Sequence, residues 1–492
     1  MKQLLPGCGN KRCRSALLLN PPTSIMTSIP ADASFLDQLH ARAAQCRFDA
    51  LPEAVIIQTK LCILDTIGCI VAGMQADEAS LVAGSPDAPV HSGDHASLLV
   101  RGNKLPIAAA VIANGYAGDI LELNDLIGGH ASIGCVTAAI ATAEAVGASG
   151  RQLIEAVARA IEVTSAVYSA VYPSLKPYGE VGLTPVGLPS SVGAAAGVAH
   201  LRGLNEEQTR HALAISGALA GWCPAEVIFR QGGTVKPMLF GAQPAATAVA
   251  AAQYAAGGMT GPLRLLEGDL GYFSTVSTDA GQHAHVAAEA WALLAPRRKL
   301  HACCGYIHSA MDALVALRRE WRGDLADCEI EVRLPVYVHE AVAKDQPPRS
   351  ANEARFDIRY CLALAACGFD VILPEHSLGH REYLNRPDVL AMLPNIIAVA
   401  DPTLHHYERS QVSVRHRHTG QSQSAFQDAP RGAPSNPLSQ SELVEKFVAL
   451  VSWCIPTDRA LTYANRVLAL ESEPASDWLV RALHVDQGVH CA

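Results

Sequence analysis

Between Ala33 and about Gly258, apolar residues run in long Ala-rich stretches broken by Gly and Pro. Their spacing predicts helices over Ala54–Val71, Pro106–Ala117, Cys135–Ala145, Gln152–Ala170 and Gly193–His200. Several are apolar on nearly every face, the pattern of central helices that cover one another rather than of one amphipathic layer. The pattern changes after Gly271. Ile330–Val338 alternates as a strand does, and Gln411–Phe426 reads as two strands joined at Thr419-Gly420, a turn suited to a hairpin. Helical spacing returns over Ala310–Arg319 and Ala354–Ala366. Beyond the Pro- and Gly-rich stretch Ala429–Pro437, Ser439 and Glu442 precede an apolar-periodic run with the spacing of a capping box. The expected fold is mainly α with a smaller α+β domain.

Composition narrows the class. The chain of 492 residues is 49% hydrophobic and 17% charged, a globular composition long enough for two domains. Its formal net charge of -9 provides no overall basic field, so nucleic acid is not an expected partner. An acidic protein that binds an anion must gather Lys, Arg and His in one pocket. No stretch approaches the ~20 uninterrupted apolar residues of a membrane span, so no membrane partner is expected either. The 14 Cys lack the dense spacing of a disulfide scaffold and read as reduced, buried thiols. Cys8 and Cys13 have no second pair nearby to complete a zinc site. The first 31 residues contain no Asp or Glu but carry Lys2, Lys11, Arg12 and Arg14 beside the apolar run Ala16–Leu19. Mitochondrial targeting and a non-functional leader both fit that segment, and a cytoplasmic location is the default expectation.

Candidate chemistry sits in four places. In Gly118–Cys135, Asp119, Glu122, Asn124 and Asp125 precede Gly128, Gly129, His130 and Ser132. Acids beside a histidine can orient the imidazole and tune it for acid–base work, while the same composition fits a polar loop capped at or near Ser132. Lys236 lies within Gly232-Gly233-Thr234-Val235-Lys236-Pro237 and can anchor a carboxylate, stabilise charge or, if desolvated, act as a base. Arg230, just upstream, reads as a second anion-binding group or a surface ion pair. In Lys299–His308, Cys304 and His308 would share a face of a helix. Finally, His405, His406, His416 and His418 with Arg415 and Arg417 read as a solvated strand edge with no catalytic assignment.

In their order along the chain these segments resemble the MmgE/PrpD family, which includes 2-methylcitrate dehydratase, cis-aconitate decarboxylase and iminodisuccinate epimerase. The matching residues are Lys60–Gly68, Leu121–Asp125, His130-Ala131-Ser132, Gly193–Ala196 before Leu204, and Val235-Lys236-Pro237. They continue with Cys304, His308 and Asp312, then Pro430-Arg431-Gly432, Asn436-Pro437-Leu438 and Lys446-Phe447, and the resemblance spans about residues 33–470. It implies a discontinuous helical domain (33–275 and 438–475), an α+β lid (276–437), a site between them, no cofactor and a homodimer. No complementary ligand cluster marks a metal site, so no metal is expected, and residues 1–32 read from their composition as a leader or disordered N-terminus. The resemblance also implies that Asp125, His130 and Lys236 are the catalytic acid, histidine and lysine. Glu122, Thr184, Lys299, Cys304 and His308 are assigned to substrate binding.

Two departures bear on the reaction. The loop from Asp125 to His130 is shorter than the family's usual acid-to-histidine segment. Gly182-Leu183-Thr184-Pro185 stands where many members have Gly-Phe-His, which leaves Thr184 in place of a histidine, and threonine cannot serve as a general acid near neutral pH. The expected activity is that of a cofactor-free lyase on a small di- or tricarboxylate, in which His130 or Lys236 removes a proton next to a carboxylate and cationic groups stabilise the carbanion. Two alternatives are an epimerase of a dicarboxylate such as iminodisuccinate and a catalytically silent binding protein of the same fold.

Overall fold

The computed structural model describes residues 33–77, 79, 95–229, 233–281, 286 and 290–483. The leader segment, Cys8, Cys13, Arg230 and Gly232 lie outside them. The first half is a helical array: α1 (Phe35–Gln45), α2 (Glu53–Gly73), α3 (Ile107–Ile120), α4 (Ala131–Val146), α5 (Gly150–Val171), α6 (Gly187–Leu201), α7 (Glu206–Leu219) and α8 (Gln243–Ala256). Capping boxes at Ser34/Asp37, Ser149/Gln152 and Asn205/Gln208 start α1, α5 and α7. Helix α6 is the hub, packed against α4, α5, α7 and α8. It approaches α5 so closely that a Cβ on Gly193 would lie 1.9 Å from the Thr164 hydroxyl, so this helix pair has room for glycine alone.

Helix α2 is long and apolar enough to cross a membrane by length and composition, but most of it is buried within the protein. Its two buried charges are neutralised by the C-terminal region. Lys60 Nζ donates to Leu468 O at 2.6 Å and pairs with Glu471 at 2.9 Å, and Asp65 pairs with Lys446 at 2.7 Å.

The second half is built on a four-stranded mixed sheet of order β4-β3-β5-β6, after a short β1–β2 ribbon (His95–Ser97, Lys104–Pro106) in the helical half. The four strands are β3 (Cys328–Leu334), β4 (Ile396–Ala400), β5 (Ser410–His416) and β6 (Ser422–Gln427). Only β3 and β4 run parallel. Helix α9 (His308–Glu320) packs against β5, β6 and α11 (Ile358–Ala366). The strand expected over Ile330–Val338 ends at Leu334, because Pro335 has no N–H for the ladder and instead opens the short helix α10 (Val336–Val342). The helix expected over Ala354–Ala366 is two, Ala351–Arg355 and α11, because the Asp357 carboxylate accepts the N–H groups of Arg359 and Tyr360 and restarts the helix as its cap. After the sheet, α12 (Gln440–Val451), opened by the Ser439/Glu442 box, and α13 (Thr457–Leu468) return to α2. Phe447, Val451 and Ala464 share one apolar core with Ile63 and Ile67.

Candidate active site

Helix α3 ends at Ile120 and α4 begins at Ala131, and the loop between them is largely buried. Buried loop backbone needs partners. Lys446 Nζ donates to Leu123 O at 2.9 Å, and the Leu126 N–H donates to Arg297 O at 2.8 Å. Glu122 (φ 54°) and His130 (φ 78°) both adopt the left-handed conformation, unusual for residues with a Cβ and a strain that functional sites often retain. The cap expected at or near Ser132 falls on His130, which occupies the N-cap position of α4 but makes no side-chain capping bond. The imidazole is thereby left for other work. Gly129 (φ 70°) packs so near Tyr168 that a Cβ there would lie 2.5 Å from the ring.

Lys236 approaches this loop from the opposite side. It precedes Pro237 and a five-residue π-helical turn, Met238–Ala242, that leads into α8. Such turns redirect side chains and recur at functional sites. Phe240, within the turn, has its ring 4.4 Å from Lys236 Nζ and 5.2 Å, edge to face, from the His130 ring. Lys236 Nζ donates to Asp119 Oδ2 at 2.7 Å and also pairs with Glu122, whose other oxygen meets Lys299 Nζ at 2.9 Å. His130 Nδ1 lies 3.1 Å from the Asn124 side-chain amide and 3.9 Å from Asp119.

Burial and charge set the protonation states. Burial alone would neutralise Lys236, but Asp119 and Glu122 outweigh it and hold the ammonium charged. Burial pushes Asp119 up to about 6 against the pull of Lys236. Burial also opposes the charge on Glu122, yet Lys236 and Lys299 together keep its carboxyl well below the usual carboxylate range. His130 is driven well below its ordinary value, first by burial and then by the two ammonium groups, and is therefore a neutral imidazole at physiological pH.

Glu122, His130, Thr184, Lys236 and Cys304 line one cavity of about 1210 Å³ between the helical array and the sheet-bearing half. Three other expected site residues lie behind its wall. Asp125 is buried and pairs with Arg298 at 3.1 Å, so the acid that reaches Lys236 from this loop region is Asp119, with Glu122. Lys299 is fully buried and acts on the cavity from behind its wall, through its pair with Glu122 and through its charge on His130. His308 does not share a helical face with Cys304, because a 3-10 turn at Gly305–Ile307 separates them. Its Nε2 lies 3.3 Å from Cys303 O, and its ring meets His301 edge-on at 4.9 Å. Burial pushes the Cys304 thiol up to about 12, which suits packing rather than nucleophilic attack. Thr184 donates its hydroxyl to Cys223 Sγ at 3.1 Å. Among the described residues no group of three or more His, Cys, Asp or Glu side chains could hold a metal ion.

Two features of the site were not legible in the sequence. Asp119 was one of several acids near His130, and only the fold brings Lys236 to it. The tyrosines of the cavity come from separate segments with no local signature. Arg298 also carries a stability prediction. Arg298→Ala would leave Asp125 charged in the core without its partner, and breaking a buried pair in this way costs about 3–5 kcal/mol. Urea unfolding should register that loss, and an unchanged midpoint would mean that the pair is not buried in solution.

The MmgE/PrpD N-terminal domain matches residues 37–285, and the MmgE/PrpD C-terminal domain matches residues 301–471. The chain is also 24% identical over 453 residues, covering 86% of itself and 91% of the relative, to the cis-aconitate decarboxylase-like protein oryM of Aspergillus oryzae (strain ATCC 42149 / RIB 40). With both domains matched in order over most of its length, and with a mainly helical fold to carry them, this chain belongs to the MmgE/PrpD family.

Proposed function

We propose that the protein is a cofactor-independent lyase that works through a carbanion next to a carboxylate of a di- or tricarboxylate. Family membership and the decarboxylase-like relative support a dehydratase- or decarboxylase-type activity in general. The observation that carries the finer reading is a neutral imidazole, His130, and a charged ammonium, Lys236, on one cavity wall and against the same Phe240 ring. A neutral imidazole can take a proton or relay one, and a buried ammonium stabilises the enolate-like charge where water cannot screen it.

The fate of the carbanion defines the reaction class. In dehydration, the C–H proton passes to His130 and hydroxide leaves with a proton from an acid. Thr184, tied to Cys223, cannot be that acid. In decarboxylation, the C–C bond breaks, carbon dioxide leaves, and the electron pair stays on carbon until a solvent proton relayed by the imidazole restores C–H. No acid is needed for the leaving group, so decarboxylation fits Thr184 better than dehydration does. Return of the proton to the opposite face would make an epimerase, which Thr184 also permits.

Product analysis in deuterated water with citrate, 2-methylcitrate, cis-aconitate and iminodisuccinate tests the proposal. Deuterium should enter the carbon next to a carboxylate, either in recovered substrate after reversible proton removal or in the product after decarboxylation. Turnover with neither deuterium at that carbon nor loss of its proton would rule out the carbanion.

A further inference from the structure

The charged end of the cavity is nearly balanced, with Lys236 and Lys299 facing Asp119 and Glu122. The other cations near the loop are also committed, Arg298 to Asp125 and Lys446 to Asp65. A polycarboxylate therefore meets little net positive charge, and Coulomb attraction to this end is a weak source of affinity. The remainder of the cavity, although Lys176, Glu226 and Glu340 also line it, is dominated by aromatic side chains. Although aromatic residues make up only 5% of the chain, six of its 12 tyrosines line this one space. Tyr306 packs between Tyr337 and Tyr407 with ring centroids 5.8 and 5.6 Å apart, Tyr168 stacks on Tyr172 at 5.1 Å, and Tyr178 lies 4.8 Å from Phe229. At the rim Trp222 is 68% exposed although it lines the cavity. The volume of about 1210 Å³ exceeds the roughly 300–1,000 Å³ usual for sites that hold drug-sized ligands.

From this juxtaposition of a small, charge-balanced end with a large aromatic wall, we propose that the substrate is a polycarboxylate bearing an extended apolar arm. The carboxylate head sits at His130 and Lys236, and the arm runs along the tyrosines toward Trp222. This inference rests on the reaction proposed above and names its substrate class. Affinity and selectivity come mainly from the arm, because the area it removes from water grows with its length while the head gains little from a neutral charge balance.

The test is a homologous series of tricarboxylates substituted with straight alkyl chains from methyl to decyl, plus one phenylalkyl member. Binding to the full chain is measured by calorimetry, and kcat/KM is measured by product analysis. Both should rise about two- to fourfold per methylene over the first several carbons. Phe229→Ala should shrink the long-to-short ratio of kcat/KM by about tenfold. The phenylalkyl member shows whether the wall prefers a ring to a chain, and either preference agrees with the proposal. Turnover of the short members with no gain on lengthening overturns the apolar arm and leaves the lyase reading intact. Binding that tightens with length, without turnover or deuterium exchange in any member, overturns the lyase reading and leaves the arm. Binding by no member overturns both.

Discussion

Replacing Lys236 with alanine should lower kcat/KM by about 10²–10³, the usual cost of removing one preorganised charge from a water-poor site where an anion develops. The same substitution should destabilise the protein, because Asp119 would lose its ion-pair partner and Glu122 would keep only Lys299. Uncompensated burial of one such charge costs about 3–5 kcal/mol, less where the carboxyl takes up a proton instead. Asp119, already pushed up to about 6 by burial, is the group that would do so. The two effects separate in the double variant Lys236→Ala/Asp119→Asn. Removing the orphaned charge should recover most of the thermal stability while activity stays low. If activity returned with stability, Lys236 would be a structural cation, and the charge on the carbanion would need another partner.

His130→Ala should cost about 10²–10⁴ in kcat, the range of a positioned general acid or base, and should also lower the melting temperature, because the ring packs on Phe240 and its Nδ1 lies 3.1 Å from the Asn124 amide. Deuterium exchange next to the substrate carboxylate should fall in parallel. The pH profile makes the assignment specific. Burial, with Lys236 and Lys299, lowers the His130 pKa in the folded protein, so the neutral form persists to more acid pH than in a free imidazole. If proton removal limits the rate, kcat/KM should stay level as pH falls through the ordinary histidine value of 6.5 and decline only below it. A limb at or above 6.5 that survives His130→Ala would move the base elsewhere in the cavity. The sign for stability is the same as for any buried neutral histidine. A depressed folded pKa favours the native state above the unfolded pKa, and that contribution is lost as pH falls through the folded value.

Local chemistry in the sequence determined much of the fold. Helices α2 to α6 follow from Ala-rich apolar stretches that Gly and Pro interrupt, and the returning α12 follows from Ser439 and Glu442, because periodicity and capping act within a few residues. His130, Lys236 and Glu122 stood out as candidates through the family resemblance, and the fold brings the three to one cavity. Short-range logic failed where a neighbour in the chain changed the rule. Pro335 ended a strand that alternation alone would have extended, and Asp357 split a helix that spacing alone would have continued.

Only the tertiary structure decided which charges meet. Lys236 finds Asp119 across 117 residues of sequence, while Asp125, as good a candidate on paper, is taken by Arg298 across 173. Spacing carries no record of such choices, because helix packing fixes them. The protonation states follow from that packing as well, since burial is a property of the folded surface and not of any segment. The aromatic wall was invisible for the same reason. Tyr168, Tyr306, Tyr337 and Tyr407 are ordinary residues in four unrelated stretches, and only the closure of the sheet-bearing half over the helices turns them into one surface.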